Sequence, residues 1–266
     1  MAKHLFFMGN KRSGTSLLVR LLNFHPEVFI TPESDIVWIL YQMRDGWPAQ
    51  FCCYPWDGPV GMNRTLAAAE PIFQKLRDSR PGEQTADQIF HSVQDHLRRT
   101  AMGPEQVCKC PVWMGDKKPV QQSDPEIRPF MSKQFPAARY IHIVRNPAAV
   151  VASKIKAARH WKEVPNFWRE KPEQILERWA IHEEWVQQAK STEAPEMLPL
   201  KFENLCAQPV ETMEQVLGFL GLEMPASTAD QIRREVQTNP NQKYDSFRLR
   251  PSERVLRIMD LYGYSI

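Results

Sequence analysis

Residues 9–16, Gly-Asn-Lys-Arg-Ser-Gly-Thr-Ser, gather two glycines, two cations and three hydroxyls into one short stretch. Backbone N–H groups of such a turn, together with the start of a following helix, converge on an anion. Gly9 and Gly14 have the separation of the nucleotide triphosphatase loop G-x-x-x-x-G-K-[ST], but Thr15 stands where that loop has its lysine. A triphosphate tail would therefore lack one charge on its β- and γ-phosphates. Lys11 and Arg12 instead place positive charge on the approach side, and Thr15 and Ser16 supply donors inside. This composition suits a terminal phosphate group rather than an ordinary ATP tail. The plain alternative is a solvated basic turn.

Four more residues carry chemistry. Arg145 closes the apolar run 138–144, Asn146-Pro147 follows, and Ser153 comes two helical turns later. Proline suits a first helical position, so Arg145 falls at a strand's carboxyl end beside a helix start. A guanidinium fork there holds a phosphate bidentately, or else it merely closes the sheet edge. The short run Val28–Ile30 delivers Glu33 next to the glycine loop, either as a general base or as an acid capping the helix that opens at Ser34. Val107-Cys108-Lys109-Cys110-Pro111 reads as another strand end, with Lys109 facing the same region or pairing with Glu33.

Positioning these groups takes alternating elements. Strand signals occur at Lys3–Met8, Gln106–Lys109, Arg139–Val144 and Met197–Lys201, with the short Val28–Ile30 besides. Helical periodicity occurs at Thr15–Asn23, Ser34–Met43, Thr65–Arg77, Thr85–Thr100, Pro147–Ala158, Pro172–Lys190 and Pro209–Leu220. Short apolar strands alternating with helices predict a three-layer α/β fold, a mostly parallel sheet covered on both faces. Ligands in such folds bind beyond the strands' carboxyl ends. Three stretches interrupt the plan and are expected as lid-like loops of a single domain over 1–266, near 44–64, 115–129 and 159–171.

The segment K-R-S-G-T-S-L-L resembles the 5′-phosphosulfate loop of sulfotransferases that use 3′-phosphoadenosine-5′-phosphosulfate (PAPS). Arg145-Asn146-Pro147 with Ser153 is similar to that family's R-[DN]-P-x-x-x-x-x-S, and residues 198–222 are similar to its V-x-Y-E-D-L … P … F-L-G-L segment. The resemblance implies a P-loop fold with PAPS as co-substrate and no metal requirement. It assigns Lys11, Arg12, Ser13, Gly14, Thr15 and Ser16 to the 5′-phosphosulfate, and Arg145 and Ser153 to the 3′-phosphate. His-Pro-Glu-Val at 25–28 followed by Glu33 resembles the tyrosylprotein sulfotransferase branch and its bacterial relatives, where this glutamate is the base. A K-x-P motif in the family places a lysine on the transferring group, here matched to Lys109, with Arg12 completing the cations. Phe202 replaces the family's tyrosine, which puts that hydroxyl contact to the nucleotide in doubt. His25 and His160 are reserve bases, since other members use histidine.

Bulk properties narrow the alternatives. A net charge of +3 over 266 residues gives no case for nucleic acid. No apolar run approaches a membrane span, and the first strand begins almost at once, so a cytoplasmic protein is expected. The five cysteines form no zinc pattern and read as free thiols. The expected activity is in-line sulfuryl transfer from PAPS to a hydroxyl acceptor of unread class. An ATP-dependent small-molecule kinase explains the loop and sheet but lacks the loop lysine and leaves Arg145 and Ser153 unassigned. A non-catalytic nucleotide-binding protein is the third reading.

Overall fold

The computed structural model describes residues 2–46, 71, 74, 85–100, 110–160, 170–193, 195–236 and 249–265. Five strands, β1 (Lys3–Gly9), β2 (Val28–Pro32), β3 (Trp113–Lys117), β4 (Arg139–Val144) and β5 (Met197–Lys201), form one sheet in the order β2-β3-β1-β4-β5. Every pairing is parallel. The helices are α1 (Thr15–Leu22), α2 (Ile36–Gln42), α3 (Ala86–Thr100), α4 (Pro119–Ser123), α5 (Arg128–Gln134), α6 (Pro147–His160), α7 (Pro172–Thr192), α8 (Phe202–Ala207), α9 (Pro209–Leu220), α10 (Ala226–Glu235) and α11 (Glu253–Tyr262).

The central strand shows why there are three layers. Leu5, Phe6, Phe7 and Met8 are all buried, a continuous apolar run rather than an alternating one. Successive side chains point to opposite faces. Phe6 and Met8 join Val37, Leu40, Phe90 and Val93 from α2 and α3. Leu5 and Phe7 join Leu18, Leu22, Val216 and Leu217 from α1 and α9. A third cluster joins Val151 of α6, Trp179 of α7 and Val255 and Ile258 of α11. Among the described residues, no helix is long and apolar enough to cross a membrane.

Most expected elements appear, but the segment after residue 110 needs correction. Residues 106–109 lie outside the described part, and the strand beside β1 is Trp113–Lys117. Residues 115–129, expected as a lid-like loop, instead complete β3, form α4 and open α5. Pro119–Ser123 are all buried. Polar character misled here, because buried Gln122 and Ser123 bond to the backbone of neighbouring β1. Gln122 Oε1 accepts from the Phe7 N–H (2.7 Å) and Ser123 Oγ from the Gly9 N–H (3.0 Å). Residues 47–64 and 161–169 of the other two expected loops, and nearly all of the helix expected over 65–77, lie outside the described residues. Helices α10 and α11 were not anticipated. Yet Ser252 caps α11 by accepting from the Val255 N–H, and Val255, Ile258 and Met259 follow at helical spacing.

Gly115 sits opposite Leu5 in the β1–β3 ladder, where an added Cβ would lie 2.0 Å from the Leu5 carbonyl oxygen. Gly115→Ala must push the two central strands apart. It should cost roughly 1–3 kcal/mol, read as a lower urea midpoint at unchanged slope.

Candidate active site

The loop between β1 and α1 takes its shape from two close approaches. Gly9 has φ 126°, and a Cβ there would lie 2.7 Å from the Ile143 carbonyl oxygen of β4. Gly14 has φ 93°, and a Cβ there would fall inside the Phe202 ring, 2.1 Å from Cδ2. Arg12 between them is also left-handed, at φ 70°, a conformation that costs a non-glycine residue free energy. A buried polar network holds the loop from below. Asn10 Nδ2 donates to the Trp179 carbonyl (3.1 Å) and to Glu183 Oε1 (2.7 Å). His182 Nδ1 lies 2.8 Å from Asn10 Oδ1. His142 Nε2 lies 2.8 Å from Glu183 Oε2, which also accepts from the Tyr262 hydroxyl at 2.8 Å. Within the loop, Ser13 is wholly buried and its Oγ has no hydrogen-bond partner. A polar atom so placed is costly unless an acceptor arrives.

The carboxyl end of β4 meets this loop directly. Buried Arg145 donates from Nη1 to the Arg12 carbonyl oxygen (3.2 Å), and its guanidinium carbon lies 4.3 Å from the Phe202 ring centre. Arg12 Nε in turn donates to Ser153 Oγ on α6 (3.1 Å). Glu203 braces the same turn, accepting from the Asn146 N–H (3.0 Å) and from the Tyr264 hydroxyl (2.8 Å). That carboxylate and burial hold the Tyr264 hydroxyl well above its ordinary pKa, burial being the larger cause. Arg12, Arg145 and Ser153 thus form one cluster, with Phe202 as the plate on which Gly14 and Arg145 both rest.

A second cluster stands at the ends of β2 and β3. The Lys117 side chain is 1% exposed, and its Nζ lies 2.5 Å from Glu33 Oε1 and 3.2 Å from Ser16 Oγ. Glu33 itself is half-exposed. Its N–H donates to the Lys117 carbonyl (3.0 Å), and its φ is 54°. Asp116, the preceding residue, points to the other face of β3 and is fully buried. Its Oδ1 accepts from the Ser34 N–H (2.8 Å), the Ser34 hydroxyl (2.6 Å) and the Thr31 hydroxyl (3.1 Å). Burial raises the Asp116 carboxyl above its ordinary range, while these donors pull the other way. Asp35, also left-handed at φ 58°, pairs with Lys118 Nζ at 2.6 Å. The turn carrying Glu33 is therefore fastened to the end of β3 by side chains on both flanks.

Most of the residues read from the sequence fall in these two clusters. Arg12, Arg145 and Ser153 are in contact beside Ser13 and Gly14 of the loop, Ser16 faces Glu33 through Lys117, and Thr15 is buried at the start of α1. Lys11 is half-buried in the same loop. Glu33 does not cap α2, whose N-cap is Asp35. Lys109 lies outside the described residues, as does the His160 side chain. The strand-end lysine in view is Lys117, which the sequence reading missed. Its signal was present, since K-x-P occurs twice, at Lys109-Cys110-Pro111 and at Lys117-Lys118-Pro119. His25 is buried with both ring nitrogens engaged, by the Glu223 carbonyl and the Glu27 N–H. Lys154 is ion-paired with Glu170.

The sequence profile of the sulfotransferase family matches residues 4–226. No curated protein matches the chain. Among solved structures, the sulfotransferase domain of the Synechococcus PCC 7002 olefin synthase covers all of this chain and 96% of its own, at TM-score 0.67 and 17% identity. The sulfotransferase domain of the curacin biosynthetic pathway covers 100% and 99%, at TM-score 0.61 and 17% identity. Sulfotransferase STF9 from Mycobacterium avium covers 98% of this chain and 76% of its own, at TM-score 0.56 and 15% identity. At these identities the likeness is one of fold.

The network under the loop carries a pH signature. Burial, with the charges of Lys11, Arg178 and Lys154, lowers His182 to about 3. In the unfolded chain it titrates near its ordinary value, so on acidification the unfolded state gains a proton that the folded state refuses. Stability should fall as pH drops from about 6.5 towards 3, by up to about 1.4 kcal/mol per pH unit for this one group. His182→Gln should flatten that slope by one proton, measured by urea denaturation from pH 7 to pH 4.

Proposed function

Because the chain belongs to the sulfotransferase family, we propose that it moves a sulfuryl group from PAPS to a hydroxyl acceptor, with Glu33 as general base. One observation carries the reading. Arg12 ties the glycine loop to Arg145 and Ser153, while Ser16, at the start of the helix this same loop opens, bonds Lys117, which pairs with Glu33. Two sites for phosphate groups with a carboxylate beyond them suit a nucleoside phosphorylated at 3′ and activated at 5′.

The residues present fit such a ligand. Ser13 Oγ is a buried hydroxyl without a partner in the loop assigned to the 5′-phosphosulfate. Arg145 is held on the Phe202 face with its fork at the loop's edge. Phe202 has no hydroxyl to offer a nucleotide, and its ring serves instead as a packing plate. PAPS, when bound, supplies an SO3 unit on a phosphate that leaves as an oxyanion. Loop N–H groups and Arg12 hold the 5′-phosphosulfate, and Arg145 with Ser153 holds the 3′-phosphate. Lys117, at the strand end, takes the part expected of Lys109 and stabilises the departing phosphate oxygen. Glu33 accepts the acceptor's proton as the new S–O bond forms. A kinase reading leaves Arg145 and Ser153 without a ligand group and Thr15 in the place of the loop lysine.

Calorimetry separates the two. Adenosine 3′,5′-bisphosphate should bind more tightly than ATP–Mg2+; the reverse order would reject the proposal. Glu33→Gln should lower turnover by roughly 10²–10⁴ with bisphosphate affinity almost unchanged. Arg145→Ala should weaken bisphosphate binding by about 1.5–3 kcal/mol, the range for hydrogen bonds to charged groups. Full turnover by Glu33→Gln would send the search for a base elsewhere.

A further inference from the structure

At the opposite end of β1 from the glycine loop, His4, Asp87 and His91 bring three ligating atoms within 4.8 Å of one another. His4 is the second residue of β1, and Asp87 and His91 stand four residues apart on the first turns of α3, so both face the strand. His4 Nε2 lies 2.8 Å and His91 Nε2 lies 3.4 Å from the same oxygen, Asp87 Oδ1. All three atoms are buried, yet among the described residues none has a hydrogen-bond partner of good geometry. Three convergent donors in this condition resemble a coordination set more than a closed hydrogen-bonded triad.

We propose that His4, Asp87 and His91 form a structural site for one divalent cation of the zinc class. Two imidazoles and one carboxylate match zinc's preferred ligands, with water completing a tetrahedron. Ligand bonds near 2.0–2.2 Å put tetrahedral ligand atoms about 3.3 Å apart, between the two separations seen to Asp87. The rings are held in place by their surroundings. The His4 ring lies 4.8 Å from Phe135, 5.3 Å from Phe90 and 5.0 Å from His91, centre to centre. Magnesium and calcium, which prefer oxygen ligands, fit poorly.

The position argues for a structural role. From His4 to Gly9 the strand spans about 16 Å, so the cation would stand well away from the reacting groups. It would fasten α3 to the sheet. Farther along α3, Gln94 Nε2 donates to Thr31 Oγ1 (2.9 Å), and that hydroxyl donates to Asp116. A tie at the start of α3 is thus continuous with the turn that holds Glu33.

The test uses the whole chain stripped of metal by chelation and dialysis. Titrated Zn2+ should bind with one equivalent, raise the thermal midpoint, and lose that gain on adding EDTA. Co2+ in its place should give the visible absorption of a tetrahedral site. His91→Gln and His4→Asn, each checked for native circular dichroism, should weaken binding by about tenfold or more, the loss already seen for residues that only support ligands. Cys110→Ser, which alters an exposed thiol, should leave it intact. No stoichiometric Zn2+ on the wild-type chain, or undiminished binding by His91→Gln, would overturn the proposal, as would binding abolished by Cys110→Ser.

Discussion

A buried ammonium at the end of β3 governs the site. Lys117 is almost sealed from water, and an amine taken out of water keeps its charge only against close partners. Its partners come from two different elements, Glu33 after β2 and Ser16 at the start of α1. The attraction therefore sets where the β2 turn and the first turn of α1 must lie. Neighbouring Asp116 does the complementary work on the other face of the strand, collecting the Ser34 and Thr31 donors. Period-two alternation lets two consecutive residues serve opposite sides of one sheet.

Backbone strain gathers around the same groups. The described non-glycine residues with positive φ are Arg12, Glu33 and Asp35, and all belong to the loops that leave β1 and β2 at their carboxyl ends. Such conformations persist only where surrounding contacts over-determine them. For Arg12 those contacts are the Arg145 donor to its carbonyl and the Ser153 hydroxyl on its side chain. For Glu33 and Asp35 they are the two lysines, Lys117 and Lys118, and the Lys117 carbonyl. Asn10 anchors the glycine loop to α7 through a network with no exposed member. The groups that would meet a ligand are thus fixed before it arrives, which spares the reorganisation that charge stabilisation otherwise requires.

Much of this was legible in the sequence, for identifiable reasons. The glycine loop, β1, β4 and the Arg145–Ser153 pair announce themselves by local pattern, since an apolar run, a turn and a helical period each act over a few residues. Glu33 was placed near the loop by the short strand Val28–Ile30, and its reading as a base rather than a cap came from the resemblance at residues 25–33. The β3 segment was overlooked because its cue, a lysine two residues before a proline, occurs twice, at Lys109 and again at Lys117. The strand's own sequence, Trp-Met-Gly-Asp-Lys, looks too polar for a central position. Its polar residues are satisfied only by partners distant in the chain, such as Ser34 and Glu33, and no local pattern reveals them. Helix α11 was passed over for a similar reason. Its apolar stripe is short, and what secures its end is the Tyr262 bond to Glu183, a contact between distant segments.

The unequal exposure of the two charged partners divides their labour. Lys117 faces inward beneath Ser16, whereas Glu33 keeps half its surface in solvent. As the proposed base, a carboxylate at the rim would exchange one oxygen's contact with lysine for contact with an arriving hydroxyl, while its backbone stays pinned by the Lys117 carbonyl. The lysine has no such freedom, because its burial confines it to neighbours within reach of Nζ. In the proposed reaction, a proton taken up by Glu33 would weaken its hold on the ammonium and leave the charge on Lys117 to be drawn towards the anion that develops beside Ser16. Proton removal from the acceptor and stabilisation of the leaving oxygen would then be coupled through a single ion pair.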